Sequence, residues 1–352
     1  MSDALPATLP EFEELAAGRL DAGPLGYFQG GAADELTLRD NIAAWRRLQL
    51  LPRTMVDVSR RDPSTTLLGV ERPHPLVVAP MAFQRVAHPD AEPGAARGAA
   101  ATGTPFTLST FATTSPTELA EAAPDATRWF QLYVFKDRGA TRAVVDAAAA
   151  GGFEALVLTV DLPLFGHRER DLRSGFTVDV SVPSVGERPE MSPEALGAMV
   201  DPSLTWDDAE RLADESSMPL VVKGVLTPAD ARRAVNSGAA AVVVSNHGGR
   251  QLDTVPSGAD ALPAVVDEVG DEVDVLVDGG IRRGTDVLKA LALGALAVMI
   301  GRPALWGLAV GGEAGVRRVL EIFLQELDTA LALAGAPVAA ELDASWVRRE
   351  NH

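Results

Sequence analysis

Eight short apolar runs recur along the chain, and they constrain the fold more than any other feature of the sequence. Most are rich in β-branched residues and have the length of one strand buried on both faces. The runs are LVVAP (76–80), PFTLST (105–110), WFQLYV (129–134), ALVLTVD (155–161), PLVVKG (219–224), AVVVSN (241–246), DVLVDGG (274–280) and AVMIGR (297–302). Alanine-rich helical stretches separate most of them, so the sequence alternates strand and helix.

This alternation predicts an α/β fold, a TIM (β/α)8 barrel. A doubly wound open sheet is the structural alternative. We interpret residues 1–352 as a single domain in which residues 1–75 form an N-terminal helical extension. Within the extension, EFEELAAGRL and ELTLRDNIAAWRRL have apolar residues at helical spacing, and the glycine-rich GPLGYFQGGAADE between them is predicted to be a turn.

The interval from Leu162 to Leu204 breaks the regular alternation. It lies between the fourth and fifth runs and is rich in Pro, Ser, Glu and Arg. Connections of this length are uncommon unless they are lids or disordered segments. Because the interval leaves the carboxyl end of a strand, we predict that residues 162–204 form a lid loop over the active-site face.

Composition excludes several classes of function. The formal net charge of −18 argues against a sequence-independent grip on nucleic acid or on anionic membranes, both of which need a basic face. The chain has no cysteine, which excludes disulfides, thiolate nucleophiles and cysteine-ligated metals, and we expect no metal site. The acidic N-terminus carries no targeting signal and no run reaches membrane-spanning length, so we expect a cytoplasmic protein.

Polar residues stand at the ends of the predicted strands, which converge on one mouth in a barrel. After the sixth run, in AVVVSNHGGRQLD, His247 and Arg250 could take a proton and hold an anion. Lys223 and Asp278 end the fifth and seventh runs. Buried charges are costly without partners, so we expect these groups to pair with one another or with a ligand.

Strands seven and eight point to a phosphate. The segments DGGIRRG and IGRP place glycines and arginines where barrels commonly bind phosphate groups. On the other side of the mouth, the polar residues suit the heteroatom edge of a flat heterocycle; they are Ser109, Gln131, Thr159 and Lys223. FMN fits this combination best. For Lys223, a structural ion pair and the Schiff-base lysine of an aldolase are the alternatives.

Seven motifs along the chain carry a family resemblance. They are APMAFQRVAHPD, LSTFATTS, FQLYVFKDR, LTVDLPLFGHRERDLRSGF, KGVL, SNHGGRQLD and DGGIRRGTDVLKALALGA. In these motifs the chain resembles the FMN-dependent 2-hydroxy-acid oxidases and dehydrogenases, a family that includes glycolate oxidase, lactate oxidase and mandelate-type enzymes. The resemblance extends from GYFQGGAADE to IGRPALWGLA, nearly the whole chain.

The resemblance implies roles for the residues at the mouth. His247 matches the base that takes a proton from the substrate, and Asp161 matches the carboxylate that orients it. Arg168 and Arg250 match the pair that holds the substrate carboxylate. Tyr133 and Tyr27 match the two tyrosines that bind the carboxylate and the reacting hydroxyl, although Tyr27 alone would favour a packing role.

The resemblance also implies an FMN cofactor and its binding residues. Lys223 would stabilise negative charge on the ring, and the glycines and arginines would surround the ribityl chain and phosphate. The matching positions are Pro80, Met81, Ala82, Ser109, Gln131, Thr159, Lys223, Ser245, Asp278, Gly279, Gly280, Arg282, Gly301 and Arg302.

The expected reaction is oxidation of an (S)-2-hydroxy acid to the 2-oxo acid, with reoxidation by O2 to give H2O2. Alternatives are a dehydrogenase that uses a quinone or another acceptor and a tailoring-pathway flavoenzyme with a different substrate. Phe111, which replaces a tryptophan of plant glycolate oxidases, suggests with Phe135 and Leu164 an apolar pocket for lactate, longer aliphatic acids or mandelate. His167 replaces the first of the family's paired arginines. A homotetramer is expected, since relatives are commonly tetramers.

Overall fold

The eight apolar runs form the eight strands of one closed, parallel barrel. A computed structural model describes residues 5–186 and 191–349 of the chain. The barrel strands are β1 (Leu76–Val78), β2 (Phe106–Leu108), β3 (Arg128–Leu132), β4 (Ala155–Thr159), β5 (Leu220–Val225), β6 (Ala241–Val244), β7 (Asp274–Val277) and β8 (Ala297–Ile300). Each strand pairs with the next, and β8 pairs with β1, so the predicted TIM barrel is confirmed and the open sheet is excluded.

Helices surround the barrel, with α1 to α3 before its first strand in sequence and α14 after its last. They are α1 (Leu9–Arg19), α2 (Ala22–Gln29), α3 (Leu36–Arg47), α4 (Gln84–Ala87), α5 (Ala91–Ala100), α6 (Pro116–Ala122), α7 (Arg138–Ala150), α8 (Glu169–Ser174), α9 (Pro193–Gly197), α10 (Trp206–Glu215), α11 (Pro228–Asn236), α12 (Gly258–Val269), α13 (Gly284–Ala292) and α14 (Arg302–Ala334). Short 3-10 turns lie at Pro183–Val185, Ala339–Glu341 and Ala344–Trp346.

Local sequence signals start several of the barrel helices. Ser115, Thr227 and Ser257 each accept a hydrogen bond from the backbone N–H three residues later. These N-caps satisfy donors that the first helical turn leaves free. The long α14 is interrupted at Gly311 and Gly312, where the backbone leaves the helical region.

Alternation along the strands divides the core into two layers. Side chains such as Val157, Val243 and Leu276 fill the barrel interior, whereas their neighbours in sequence pack against the surrounding helices. A hairpin of strands Thr65–Leu67 and Val70–Arg72 adds Leu67 to the interior cluster. The strands are therefore buried on both faces, as their apolar runs predicted.

The predicted N-terminal helical extension contains α1 to α3 up to Arg47, but residues 48–75 form one strand, a hairpin and irregular segments without helix. Strand Leu48–Leu50 pairs antiparallel with Val347–Arg349. The predicted turn in GPLGYFQGGAADE is wrong in its first part, because α2 occupies it. A Cβ on Gly23 would lie 3.2 Å from Phe176, and one on Gly26 3.7 Å from Arg170. The two glycines let α2 pack closely against Arg170 and Phe176, and this packing outweighs the low helix propensity of glycine.

The interval 162–204 has little regular structure beyond α8, α9 and one 3-10 turn. Residues 187–190 of the predicted lid loop lie outside the described residues, as do residues 1–4 of the predicted extension and 350–352 of the predicted domain. In the part of the chain that the structure describes, no helix is long and apolar enough to cross a bilayer.

Candidate active site

The polar strand ends meet at one cleft of about 1000 Å³, counting its open mouth. Most of the residues that the sequence nominated line this cleft. They are Tyr27, Pro80, Met81, Ala82, Ser109, Tyr133, Thr159, Arg168, Lys223, His247, Arg250, Asp278, Gly279, Gly280, Arg282, Gly301 and Arg302. Gln131, Asp161 and Ser245 stand behind this lining and hydrogen-bond to residues in it.

His247 lies between a carboxylate and a phenol. Its backbone turns into the left-handed region at φ +59°, immediately after β6 and its polar end. The Nδ1 atom lies 2.8 Å from Asp161 Oδ1, and Nε2 lies 3.3 Å from the Tyr133 hydroxyl. An ionised Asp161 accepts from Nδ1–H, which leaves Nε2 of a neutral imidazole as the acceptor.

The electrostatics of this group favour a neutral histidine beside a charged aspartate. Burial lowers the pKa of His247, and the opposing attraction of Asp161 does not restore its usual value. Burial would raise the pKa of Asp161, but His247 and then Lys223 hold it below its ordinary value. Burial, followed by the charge of Asp161, raises the pKa of Tyr133, whose hydroxyl stays protonated. The imidazole can therefore take a proton at neutral pH.

A glycine on the neighbouring strand makes room for Asp161. The pairing of β5 with β6 shifts register between Lys223 and Val225. Gly224 lies inside this irregularity at φ +110°, and a Cβ there would lie 2.7 Å from the Asp161 side chain. Both the positive φ and the close approach require glycine.

Lys223 supplies a buried cation to the cleft. Its Nζ lies 2.9 Å from Asp278 Oδ2 and donates to Ser245 Oγ at 2.8 Å. Burial would lower the pKa of Lys223, but Asp278 and Asp161 more than compensate and raise it. The predicted pairing of buried charges is confirmed, and this ion pair forms part of the cleft lining.

Several buried polar atoms near Lys223, at the ends of the barrel strands, lack hydrogen-bond partners within the described residues. They are Thr159 Oγ1, Gln131 Nε2 and Asp278 Oδ1. The Gln131 oxygen is already used, since it accepts from Ser109 Oγ at 3.2 Å and from the Thr110 N–H at 3.2 Å. Free donors and acceptors beside a lysine ammonium match the oxygen and nitrogen atoms of a flavin ring. The residues present therefore fit FMN.

The phosphate end of the cleft combines glycines with buried arginines. Gly279 and Gly280 have φ of +91° and +78°, and a Cβ on Gly280 would lie 1.9 Å from the Asn41 carbonyl. Arg302 donates to three backbone carbonyls, at 2.9, 3.1 and 3.0 Å. Burial lowers the pKa of Arg282, and burial followed by Arg250 lowers that of Arg302. Among the described residues these two guanidinium groups hydrogen-bond to backbone carbonyls and form no salt bridge, an arrangement that suits a phosphate.

Two further arginines face each other from separate loops. Arg168 Nε donates to the Arg250 carbonyl at 3.0 Å, and Arg250 Nη1 donates to the carbonyls of Gly30, at 2.9 Å, and Tyr27. Burial, followed by the charge of Arg250, lowers the pKa of Arg168 to about 10. The charge of the buried Asp171 acts on both arginines, but their hydrogen-bond partners among the described residues are neutral, which favours an anionic ligand such as a carboxylate.

Tyr27 both packs and lines the cleft. Its ring lies 5.2 Å from Phe28 and 5.5 Å from Phe83, centroid to centroid, and the Arg250 guanidinium carbon lies 4.7 Å from its centroid. It is 6% exposed. The packing and binding interpretations of this residue are therefore compatible.

The predicted apolar pocket is right in Phe111 and wrong in Leu164. Phe111 lines the cleft with its ring 5.3 Å from Tyr133, and Phe135 packs behind it. Leu164 points outward and is 69% exposed. Leu162 and Phe165 line the cleft instead, because the chain turns as it leaves β4.

Sequence reasoning missed the residues that hold the loops together. Gln251 bonds to the first residues of the interval after β4, and Asn246 exchanges side-chain hydrogen bonds with Asn41 of α3 at 2.8 and 2.9 Å. Buried Glu92 accepts from backbone and hydroxyl donors on the loops after β1 and β2. The position of Gln251 next to Arg250 in SNHGGRQLD could have indicated its role. No pattern in the sequence around Asn41 or Glu92 indicates theirs.

The histidine at position 167, where the family has an arginine, does not prevent its loop from hydrogen-bonding to the N-terminal segment. His167 is exposed, and its backbone carbonyl accepts from the Ala33 N–H at 2.8 Å. Arg168 points inward and is 2% exposed. The structure thus places the second residue of this pair, and not the first, in the cleft.

Comparisons with known proteins agree with the geometry. Residues 16–349 match the FMN-dependent dehydrogenase family. An L-lactate oxidase from a Nostoc species is 47% identical over 357 residues, which cover 97% of this chain and 98% of that protein.

Solved structures are also similar. A Pediococcus acidilactici protein described as a (putative) lactate oxidase superposes with a TM-score of 0.94 at 35% identity, covering 100% of this chain and 97% of that one. A soluble mutant of the membrane-associated (S)-mandelate dehydrogenase from Pseudomonas putida superposes with a TM-score of 0.91 at 36% identity, covering 97% of this chain and 99% of that one.

Proposed function

Because this chain belongs to the FMN-dependent dehydrogenase family, we propose that it oxidises an (S)-2-hydroxy acid to the 2-oxo acid, with dioxygen as electron acceptor and hydrogen peroxide as product. One observation carries the proposal. The neutral His247, paired with Asp161, lines the same cleft as Arg168 and Arg250. Among the described residues no carboxylate forms a salt bridge with either arginine, although the buried Asp171 acts on both through its charge. A base and an anion clamp in one cleft suit a substrate that carries a hydroxyl and a carboxylate.

FMN would lie against the wall formed by the strand ends. Ser109, Thr159 and Lys223 would face its ring, while Gly280 and Arg302 would hold the phosphate end. Bound FMN would supply an acceptor for the two electrons and the hydrogen released when the Cα–H bond of the hydroxyl carbon breaks. Lys223, whose raised pKa keeps it charged, would place a cation beside the ring.

The loop residues would fix the substrate. The planar guanidinium groups of Arg168 and Arg250 can each donate two parallel hydrogen bonds to a carboxylate. Tyr27 would contribute its hydroxyl to the same carboxylate, and Tyr133 would bind the reacting hydroxyl from beside His247. Phe111, Leu162 and Phe165 then leave an apolar space for the substrate side chain.

His247 would take the hydroxyl proton at Nε2. The imidazolium so formed keeps its Nδ1–H bond to Asp161, whose depressed pKa keeps it ionised as the positive charge appears. Asp161 therefore fixes the tautomer before the proton moves and stabilises the charge afterwards. The proton later leaves from the same Nε2 atom.

The aromatic and aliphatic lining supports lactate, longer aliphatic acids or mandelate as substrates. A dehydrogenase that passes electrons to a quinone or another acceptor is the second candidate, because the chain resembles an (S)-mandelate dehydrogenase as well as an L-lactate oxidase. Both candidates use the same residues for the first half of the reaction. A tailoring flavoenzyme with a different substrate is the remaining alternative, which identification of the product would separate from the other two.

Anaerobic mixing tests the proposal. The purified holoenzyme is mixed with (S)-lactate, (S)-2-hydroxybutyrate, (S)-mandelate and the achiral glycolate, with the (R)-enantiomers of the three chiral acids as matched controls, and the flavin absorbance is followed. We expect bleaching by an (S)-acid, then rapid recovery and stoichiometric peroxide when air is admitted. Bleaching followed by slow recovery would favour the dehydrogenase. A protein without flavin, or one that no acid bleaches, would contradict the proposal.

The expectations of a homotetramer and of a cytoplasmic location stay predictions. Sedimentation of the holoenzyme at several concentrations tests the first, and cell fractionation tests the second. Species smaller than a tetramer at micromolar concentration would contradict the first prediction.

A further inference from the structure

Gln251 joins two loops through its side-chain amide. Its Nε2 donates to the backbone carbonyls of Asp161 and Leu164, each at 2.9 Å. Its Oε1 accepts from the Gly166 N–H at 3.1 Å and from Arg168 Nη2 at 3.1 Å. All four partners belong to the segment 161–168, where the chain leaves β4.

The backbones of the two loops also approach each other closely. A Cβ on Gly166 would lie 2.4 Å from the Arg250 carbonyl oxygen, and that oxygen accepts from Arg168 Nε at 3.0 Å. The segment 161–168 and residues 250–251 are thus packed in contact. The Gln251 side chain forms four hydrogen bonds across this contact, and it is not part of the cleft lining.

The contact needs a group with donors on one side and an acceptor on the other. Two carbonyls face the Nε2 side, and an N–H and a guanidinium face the Oε1 side. A primary amide meets both requirements. A carboxylate would present an oxygen to the carbonyls, and an apolar side chain would leave the four groups without this partner.

We propose that Gln251 is a positioning residue: it orients Arg168 for the substrate carboxylate and fixes the end of β4 from which Asp161 orients His247. This inference rests on the proposed roles of Arg168, Asp161 and His247. It follows that losing the amide should weaken carboxylate binding more than it slows the chemical step.

The test compares Gln251→Glu with Gln251→Met in the holoenzyme. Gln251→Glu keeps an oxygen that accepts from Gly166 and Arg168 but loses the N–H groups that donate to Asp161 and Leu164. Gln251→Met removes all four hydrogen bonds at similar side-chain volume. We expect each variant to raise the KM for the (S)-acid about tenfold or more, with kcat reduced less than KM is raised. Calorimetric titration with oxalate, a carboxylate that the enzyme cannot oxidise, should show a matching rise in Kd. Gln325→Glu, exposed on α14, is the matched control.

Each outcome decides the inference. An unchanged KM and oxalate Kd in both variants would overturn it, as would a loss of kcat and flavin content with KM unchanged. If Gln251→Glu does not fold, Gln251→Met carries the same comparison. If no acid bleaches the wild-type flavin but oxalate binds more weakly to the variants, the proposed function fails while the inference holds.

Discussion

The cleft has two unlike walls. The strand wall is built from the ends of the barrel strands, and its cation, Lys223, is paired with Asp278 at 2.9 Å. The loop wall is built from segments outside the strands, and its cations, Arg168 and Arg250, are held by carbonyl and amide oxygens. Both walls are buried, yet they treat positive charge in opposite ways.

The pKa shifts state the difference in physical terms. The carboxylates around Lys223 raise its pKa despite burial, whereas burial and a neighbouring cation lower the pKa of Arg168 to about 10. At Lys223 the charge of the strand wall is balanced before a ligand arrives, whereas Arg282 and Arg302 at its phosphate end hydrogen-bond to carbonyl oxygens. In the loop wall no described carboxylate forms a salt bridge with Arg168 or Arg250, and only Asp171 acts on both through its charge, so an incoming carboxylate would supply the direct partner. This contrast explains how one cleft could hold a flavin on one side and a hydroxy acid on the other.

Replacing the base that stands between the two walls should have the largest effect. In His247→Asn we expect kcat to fall by about 10²–10⁴-fold, the range for loss of a general base. Oxalate binding should persist because the arginines remain. Stopped-flow flavin reduction measures the rate, and His88→Asn, on the loop before α5, is the control. Full turnover in His247→Asn would remove this residue from the mechanism.

Breaking the ion pair of the strand wall should cost stability. Lys223→Met leaves Asp278 buried without its partner, and such losses destabilise proteins by about 3–5 kcal/mol. Urea unfolding followed by circular dichroism measures the change, together with flavin content. Lys136→Met removes an exposed lysine as the control. An unfolding free energy equal to wild type would show that the wall is not organised by this pair.

Changing the loop wall should affect binding instead. Arg168→Lys keeps the charge but loses the planar fork, and we expect KM and the oxalate Kd to rise about tenfold. The free energy of unfolding should fall less than in Lys223→Met, because Arg168 forms no salt bridge among the described residues and its substitution leaves no carboxylate without an ion-pair partner. A variant with wild-type affinity but reduced stability would reverse the assignment of the two walls.

The pH dependence should show the smallest effects and separate the same groups. Because the pKa of His247 lies below its usual value, the base stays unprotonated as pH falls to about 6.5, and kcat/KM should decline only below that. Arg168 loses its charge near its pKa of about 10, which sets the upper limb. Steady-state kcat/KM between pH 5 and about 10.5 tests both limbs. A lower limb above pH 7 would contradict a neutral His247.

The two walls also differ in how well the sequence predicts them. Runs of apolar residues mark each strand, so polar residues such as Lys223 and Thr159 are found at the strand ends by position alone. The loop wall depends on contacts between distant segments. Nothing in the sequence pattern around Leu164 indicates that this residue points outward and Phe165 inward. The glycines around Tyr27 predicted a turn where the structure has a helix. The amide of Gln251 acquires its importance only when two loops meet.

The most direct test is a crystal structure of the wild-type holoenzyme with oxalate. We predict the flavin ring against Thr159 and Lys223 and the oxalate between Arg168 and Arg250. Oxalate bound at the strand wall, or a flavin ring against the arginines, would contradict the division of the cleft into a cofactor wall and a carboxylate wall.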